Sequence, residues 1–217
     1  MKGMTKEINK DGQAIGRKGA ESRARLLEAA RRLINELPSA RKLTASSIAR
    51  AAGLASQTFY LYFDDIDEIL LSLAMDASYD MDDLLVALDD PGERLAPRDY
   101  AERVVAAFYR YWDRHRPVLN IRNYLADRGD EPFAKVRNES AIPVIVKVAA
   151  RIRAAQGETR LTERDAMARA VIVYSSIERM AARYATTPGL QLMPGGGDLK
   201  RAEADILALL LSPPPVL

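Results

Sequence analysis

The stretch LTASSIARAAGLASQTFYLYF, residues 43–63, decides how the rest of this chain is interpreted. Thr44 is a good helix N-cap, and Ile48 and Ala49 follow at a spacing that gives a short helix one buried face. Gly53 can adopt the left-handed backbone that ends this helix, and a second short helix begins after it. The pattern predicts a helix-turn-helix.

The second helix of the pair carries side chains that suit contact with DNA. Ser56 can cap it, and its outward positions are small or hydrogen-bonding residues that suit base edges in the major groove. Phe59 and Phe63 lie four residues apart and share the buried face, whereas Tyr60 points away and can place its hydroxyl on a phosphate. Two packed helices without nucleic acid are the plainer alternative. We predict DNA contacts from Thr44, Ala45, Ser46, Ala55, Ser56, Gln57, Thr58, Tyr60, Leu61, Tyr62, Arg17 and Lys18.

At these positions the chain resembles the Tet repressor (TetR) family of bacterial helix-turn-helix transcription regulators. The resemblance covers about the first third of the chain. One position departs from the family pattern: Ile66 stands where members usually carry a phosphate-binding Lys, and acidic residues surround it. We therefore expect Asp64 and Asp65 to face inward or to cap the next helix. The matching residues are Thr44, Ile48, Ala49, Ala52, Gly53, Leu54, Thr58, Phe59, Tyr60, Tyr62 and Phe63.

The basic charge is concentrated at the same end of the chain. The net charge is only +2, but residues 1–63 hold 12 Lys and Arg against 5 Asp and Glu. Arg23 and Arg25 belong to a group of basic residues that precede or open the first helix. Such an arm commonly follows phosphates or enters the minor groove. For residues 1–15 a solvated tail with incidental lysines stays an equal alternative.

The remaining pattern predicts an all-α fold of about nine helices. It comprises an N-terminal three-helix DNA-binding domain with the helix-turn-helix and a larger C-terminal helical domain for ligand binding and dimerisation. We expect a flexible basic arm over residues 1–18, the DNA-binding domain over 19–64 and the regulatory domain over 65–217. Apolar periodicity and proline positions predict helices over 22–37, 65–88, 97–115, a short one from Pro117, 132–156, 163–187 and 198–211.

The last two predicted helices have more apolar surface than one neighbour can cover. The resemblance implies that they form a homodimer interface, a four-helix bundle; burial against the chain's own core is the alternative. It also implies a pocket for a small-molecule effector among the middle helices, where plain core packing is again the alternative. For the dimer interface we predict Val173, Met180, Ile206, Leu207 and Leu210. For a mostly apolar or aromatic ligand we predict Met75, Tyr79, Phe108, Trp112, Tyr124, Phe133 and Tyr174.

Composition excludes several classes of protein. There is no cysteine and only one histidine, His115, so we expect no metal site, no cofactor and no enzyme. No membrane span or signal peptide is recognisable, and the cytoplasm, at the bacterial nucleoid, is the expected location. The leading hypothesis is a repressor that binds palindromic operator DNA as a dimer and is released by its effector. The alternative is a DNA-binding protein whose C-terminal domain binds a protein partner.

Overall fold

The computed structural model describes residues 16–36, 43–90, 92, 94–157, 160–183 and 195–212. Over these ranges the regular elements are α-helices and no strand occurs, which confirms the predicted all-α fold. Most of the predicted basic arm and the predicted helix end at Thr187 lie outside them. The helices are α1 (Arg17–Glu36), α2 (Ala45–Ala51), α3 (Ser56–Phe59), α4 (Ile66–Tyr79), α5 (Asp82–Leu88), α6 (Pro97–Asp127), α7 (Glu131–Gln156), α8 (Glu163–Arg183) and α9 (Gly196–Leu211).

The chain forms two compact units. The first unit takes the described residues up to Ala77 together with Pro117–Val136, and the second takes Ser78–Arg116 and the described residues from Arg137 onward. The predicted boundary after residue 64 therefore falls inside the first unit. None of the helices in the described ranges is both long enough and apolar enough to cross a membrane.

In the first unit, α1 supports the helix-turn-helix. Its buried stripe is Leu26, Ala29, Ala30 and Ile34, and α1 packs against α2, which packs against α3. Helices of seven and four residues are unstable alone, so this packing holds them. α1 begins earlier than predicted, because Ser22 does not cap it but donates its hydroxyl to the Lys18 carbonyl, 3.0 Å away inside the helix.

The single helix predicted over 65–88 is two helices, α4 and α5, separated at Asp80 and Met81. In one continuous helix, Asp80 and Asp83 would lie three residues apart on one face and repel each other. The break places Asp83 in the first turn of α5, where the helix dipole favours a carboxylate. It also leaves the Asp80 carboxylate 3.0 Å from His115 Nε2.

The two helices predicted to meet at Pro117 are one helix, α6, which runs through the proline. Proline removes one intrahelical hydrogen bond, and buried residues on both sides of it compensate for that loss. Trp112 before it is 1% exposed, and Leu119 after it is fully buried. Arg116, directly before the proline, donates to the Ala181 carbonyl of α8.

Candidate nucleic-acid interface

A reciprocal pair of hydrogen bonds fixes the start of α2. The Thr44 Oγ1 accepts from the Ser47 backbone N–H at 3.1 Å, and the Ser47 Oγ accepts from the Thr44 backbone N–H at 3.0 Å. This is a capping box in which a serine replaces the usual Glu or Gln. Thr44 and Ser46 remain exposed, whereas Ala45 is half-buried. The start of α2 therefore offers polar groups at the surface.

The turn after α2 has the geometry that the sequence predicts for Gly53. Its φ of 66° lies in the left-handed region, where a residue with a side chain is strained. The Gly53 N–H donates to the Arg50 carbonyl at 3.0 Å, and the Leu54 N–H donates to the Ala49 carbonyl at 2.8 Å. These two bonds form a Schellman motif. The turn thus closes α2 and starts the chain toward α3.

α3 divides its aromatic residues between core and surface. Phe59 and Phe63 are fully buried, with ring centroids 5.6 Å apart, whereas Tyr60 is 51% exposed and Leu61 is 59% exposed. Gln57 and Ala55 are exposed, and Thr58 and Tyr62 are half-buried. The helical conformation itself is short, ending at Phe59. The surface of α3 and of the two residues after it therefore presents an amide, a phenol and an apolar side chain.

Ser56 does not cap α3 as predicted. The N-cap is Ala55, and Ser56 is the first residue of the helix. The Ser56 hydroxyl lies 3.0 Å from the Ser46 hydroxyl of α2, so it ties the two helices together. Arg50 is exposed one turn after Ser46 on α2. We did not predict Arg50 as a DNA contact, although its four-residue spacing from Ser46 places both on one face.

The basic residues of α1 fall into two groups. Arg17 and Lys18 are exposed, and the Arg17 Nε lies 3.7 Å from a Glu21 carboxylate oxygen. Arg23 was expected in the phosphate-following arm, but its guanidinium lies 5.2 Å from the Phe63 ring centroid and donates to the Ser72 Oγ at 3.4 Å. Arg23 is therefore engaged inside the unit.

Asp65 caps α4, as expected from the acidic residues after the motif. Its Oδ1 accepts from the Glu68 backbone N–H at 2.9 Å. The Glu68 carboxylate in turn accepts from the Asp64 backbone N–H. Asp64 and Asp65 are nevertheless exposed. Their negative charge thus stays at the surface, at the start of a helix whose dipole favours it.

The residues predicted to bind a ligand are divided between the two units. Met75, Tyr124 and Phe133 belong to the first unit, and Met75 and Tyr124 are 44% and 54% exposed. The other four are Tyr79, Phe108, Trp112 and Tyr174, in the second unit. The Phe108 and Tyr174 rings meet edge to face with centroids 5.6 Å apart, and Trp112 is 1% exposed. Tyr79 is 49% exposed and donates to Glu139 at 3.4 Å.

The predicted dimer residues also occupy different environments. Val173 and Leu207 are buried within the second unit, and their part in a dimer interface stays a prediction. Helical periodicity alone did not show which side of α8 and α9 the chain itself covers. Met180 and Leu210 are half-buried, and Ile206 is 54% exposed. The exposed apolar residues of these helices are Val171, Ile172, Ile206 and Leu209.

Two buried ionisable side chains of the second unit have shifted pKa values. Burial raises the pKa of the Glu203 carboxyl to about 7, although the Tyr109 hydroxyl and the Lys200 charge act in the opposite direction. Burial also raises the pKa of the Tyr100 phenol to about 12, against the nearby Arg151 and other charges. The Tyr100 hydroxyl donates to the Leu88 carbonyl at 3.1 Å. In the described part of the chain, no three acidic or histidine side chains are grouped to hold a metal ion.

Two family models match the chain. Residues 26–73 match the model described as bacterial regulatory proteins of the tetR family, and residues 93–204 match the tetracyclin repressor-like C-terminal domain. The first match contains the whole helix-turn-helix, from α2 through the turn to α3. The second extends over more than half of the chain. No curated protein sequence matches significantly.

Solved structures with the same fold include several regulators. A TetR-like transcriptional regulator from Rhodococcus sp. RHA1 is 22% identical, with a TM-score of 0.58, covering 88% of this chain and 93% of its own. The fatty acid degradation regulator FadR from Bacillus halodurans is 17% identical, with a TM-score of 0.55, and the match covers 92% of this chain and 97% of that protein. Thermus thermophilus FadR, a TetR family repressor in complex with lauroyl-CoA, is 22% identical, with a TM-score of 0.55, covering 87% and 93%.

The matches to the two family models agree with the helices described above. The N-terminal match covers the capping box, the Gly53 turn and the buried Phe59 and Phe63 described above. The C-terminal match covers α6 to α8 and most of α9. The chain belongs to the Tet repressor family of bacterial transcription regulators.

Proposed function

We propose that this protein is a repressor that binds palindromic operator DNA as a dimer and is released by a small, largely apolar effector. The exposed face of the helix-turn-helix carries the proposal. Gln57, Tyr60 and Leu61 are exposed on and directly after α3, while Phe59 between them is fully buried. An amide can pair with adenine, a phenol can bind phosphate and an apolar side chain can contact a thymine methyl group.

The apolar surface of α8 and α9 supports dimerisation. The two helices pack against each other, and Ile172 on α8 is 69% exposed. On α9, Leu209 is 73% exposed and Ile206 is 54% exposed. Contiguous exposed apolar side chains commonly mark an interface between proteins. A two-fold dimer would present two copies of α3 to two half-sites about one DNA turn, ~34 Å, apart or further.

The second unit supports an apolar effector. Its interior is rich in aromatic rings, among them Phe108, Tyr111 and Tyr174, which meet edge to face around Phe108. The Thermus thermophilus relative binds lauroyl-CoA, whose acyl chain belongs to the same apolar class of ligand. An effector that shifts operator affinity by five- to 150-fold requires a coupling free energy of ~1–3 kcal/mol.

A protein partner for the second unit remains the second candidate. The solvent side of α7 carries Ile142 and Val146, four residues apart, which are 55% and 47% exposed. Such a pair suits contact with another protein as well as with solvent. Native mass spectrometry of the purified protein separates the two candidates. A dimer that retains a small molecule favours the effector, and a dimer that carries none but binds a protein favours the partner.

Fluorescence anisotropy with palindromic DNA from the protein's own locus tests the proposal. Gln57→Ala should reduce discrimination between operator and random DNA by ~1–3 kcal/mol, because a bidentate pair with adenine is lost. Tyr60→Phe should weaken binding to both DNAs alike, because it removes a phosphate contact. Asn35→Ala, an exposed amide at the end of α1, is the control and should change neither. Wild-type protein without preference for the palindrome would refute the proposal.

A further inference from the structure

The end of α2 has more carbonyl groups than its own backbone can satisfy. The last carbonyls of a helix lack intrahelical donors and need partners from elsewhere. The Schellman motif uses the carbonyls of Ala49 and Arg50. The next three carbonyls, of Ala51, Ala52 and Gly53, receive guanidinium N–H groups from α1. Two arginines of another helix therefore complete the cap of α2.

Arg25 and Arg32 supply these donors from one face of α1. Their seven-residue separation corresponds to about two helical turns, so both point to the same side. The Arg25 Nη2 donates to the carbonyls of Ala52 and, at 3.3 Å, Gly53. The Arg32 Nη2 donates to the Ala51 carbonyl at 3.0 Å. A cation at a helix C-terminus is also favoured by the helix dipole.

The Arg25 guanidinium comes close to the Gly53 backbone. A Cβ added to Gly53 would lie 3.0 Å from the Arg25 Nη2, closer than ordinary van der Waals contact, so the guanidinium would have to shift by a few tenths of an ångström. The positive φ of Gly53 in addition strains any residue with a side chain.

We propose, on the basis of the DNA-binding function proposed above, that Arg25 and Arg32 are positioning residues for α3 and do not neutralise phosphate. α3 begins at Ser56, three residues after Gly53, and its single turn of helix cannot set its own direction. The guanidinium groups hold the carbonyl groups at the end of α2 in place, and the chain continues from there to α3. Arg25 and Arg32 are exposed as well, but their guanidinium groups are held by these carbonyls. Phosphate neutralisation therefore falls to Arg17, Lys18 and Arg50.

The two roles predict different responses to salt. A residue that neutralises phosphate releases counterions, so its loss reduces the slope of log affinity against log salt by ~0.9 for each contact. A residue that positions α3 leaves this slope unchanged. Its loss instead reduces the preference for operator over random DNA, because the base-reading side chains are displaced. A substitution that only lowers folding stability would change neither the salt slope nor the operator preference of the molecules that stay folded.

Operator and random-DNA affinities, measured over a range of salt concentrations, test the inference. Arg25→Gln should lower the operator preference about tenfold, the effect of losing a hydrogen bond to a charged group, without a change in slope. Lys18→Gln and Arg50→Gln should reduce the slope. Arg110→Gln removes one exposed positive charge from α6 and should change neither quantity.

Arg25→Lys keeps the charge, but its side chain is one bond shorter than the path to Nη2 and does not bring the ammonium to the two carbonyls, so it should also lose operator preference. If circular dichroism shows that Arg25→Gln does not fold, Arg25→Lys carries the test. A reduced slope for Arg25→Gln, or full operator preference in Arg25→Lys, overturns the inference alone. Wild-type protein without operator preference overturns the proposed function, and this inference with it.

Discussion

Replacing Glu203 with Gln is expected to stabilise the protein at alkaline pH and to have a smaller effect in weak acid. Glu203 lies on α9 and is 6% exposed. Its two carboxylate oxygens have no hydrogen-bond partner among the described residues, while the nearby Tyr109 hydroxyl of α6 acts to lower its pKa. Lys200, one turn earlier on α9, holds its Nζ 4.5 Å from the Tyr109 ring centroid. The buried side chains of α8, which packs against α9, are apolar.

The sign follows from the direction of the pKa shift. Burial raises the pKa of Glu203 from 4.5 in the unfolded chain to about 7 in the folded protein. Between these values the unfolded state loses its proton first, so stability falls as pH rises, and the full loss is reached above pH 7. This difference corresponds to about 3 kcal/mol, at roughly 1.4 kcal/mol for each unit of pKa.

Partial hydration of the carboxylate makes the true loss of stability smaller than this value. Part of that loss is already present in weak acid. We therefore expect the stability advantage of Glu203→Gln over the wild type to grow by about 1–2 kcal/mol between about pH 5.5 and about pH 8. The amide is isosteric and neutral, so it removes the charge without a change of volume. For a chain of this length, 1 kcal/mol corresponds to roughly 2–4 °C in Tm.

Urea denaturation at both pH values measures the change. Protein concentration must be the same throughout, because association adds to apparent stability. Glu36→Gln is the matched control: Glu36 is exposed at the end of α1, so the substitution should leave the pH dependence as in the wild type. An advantage of Glu203→Gln that is the same at both pH values would refute ionisation as the cause. Lower stability of Glu203→Gln at pH 8 would show that the carboxylate is favourably bound.

Three further outcomes follow from the geometry. Gly53→Ala should lower the free energy of unfolding by about 1–2 kcal/mol, because alanine is strained at positive φ and its Cβ meets Arg25; urea denaturation measures this loss. Thr44→Ala should cost about 1 kcal/mol in the same assay, since the Ser47 N–H loses its acceptor. Leu209→Lys should convert a dimer to monomers in sedimentation velocity with little loss of helix, because Leu209 is 73% exposed; an unchanged dimer would place the interface elsewhere.

The helix-turn-helix could be predicted closely because its signals are local. The Thr44 cap, the left-handed Gly53 and the burial of Phe59 and Phe63 each depend on residues within a few positions. The break between α4 and α5 was missed because the apolar period continues across Asp80 and Met81, and the His115 that meets Asp80 comes from a distant part of the sequence. Periodicity gives the apolar faces of a helix but not which face the chain itself covers.

The sequence by itself determined the family, the all-α class and the position of the helix-turn-helix, because caps, glycine turns and apolar spacing act within one or two helical turns. Only the tertiary structure decided how the charged and apolar side chains are used. It directs Arg25 and Arg32 to the carbonyls at the end of α2, although the sequence placed Arg25 in the basic group expected to follow phosphates. It buries Val173 and Leu207 and exposes Leu209. These outcomes depend on contacts between residues far apart in the chain, which no local pattern records.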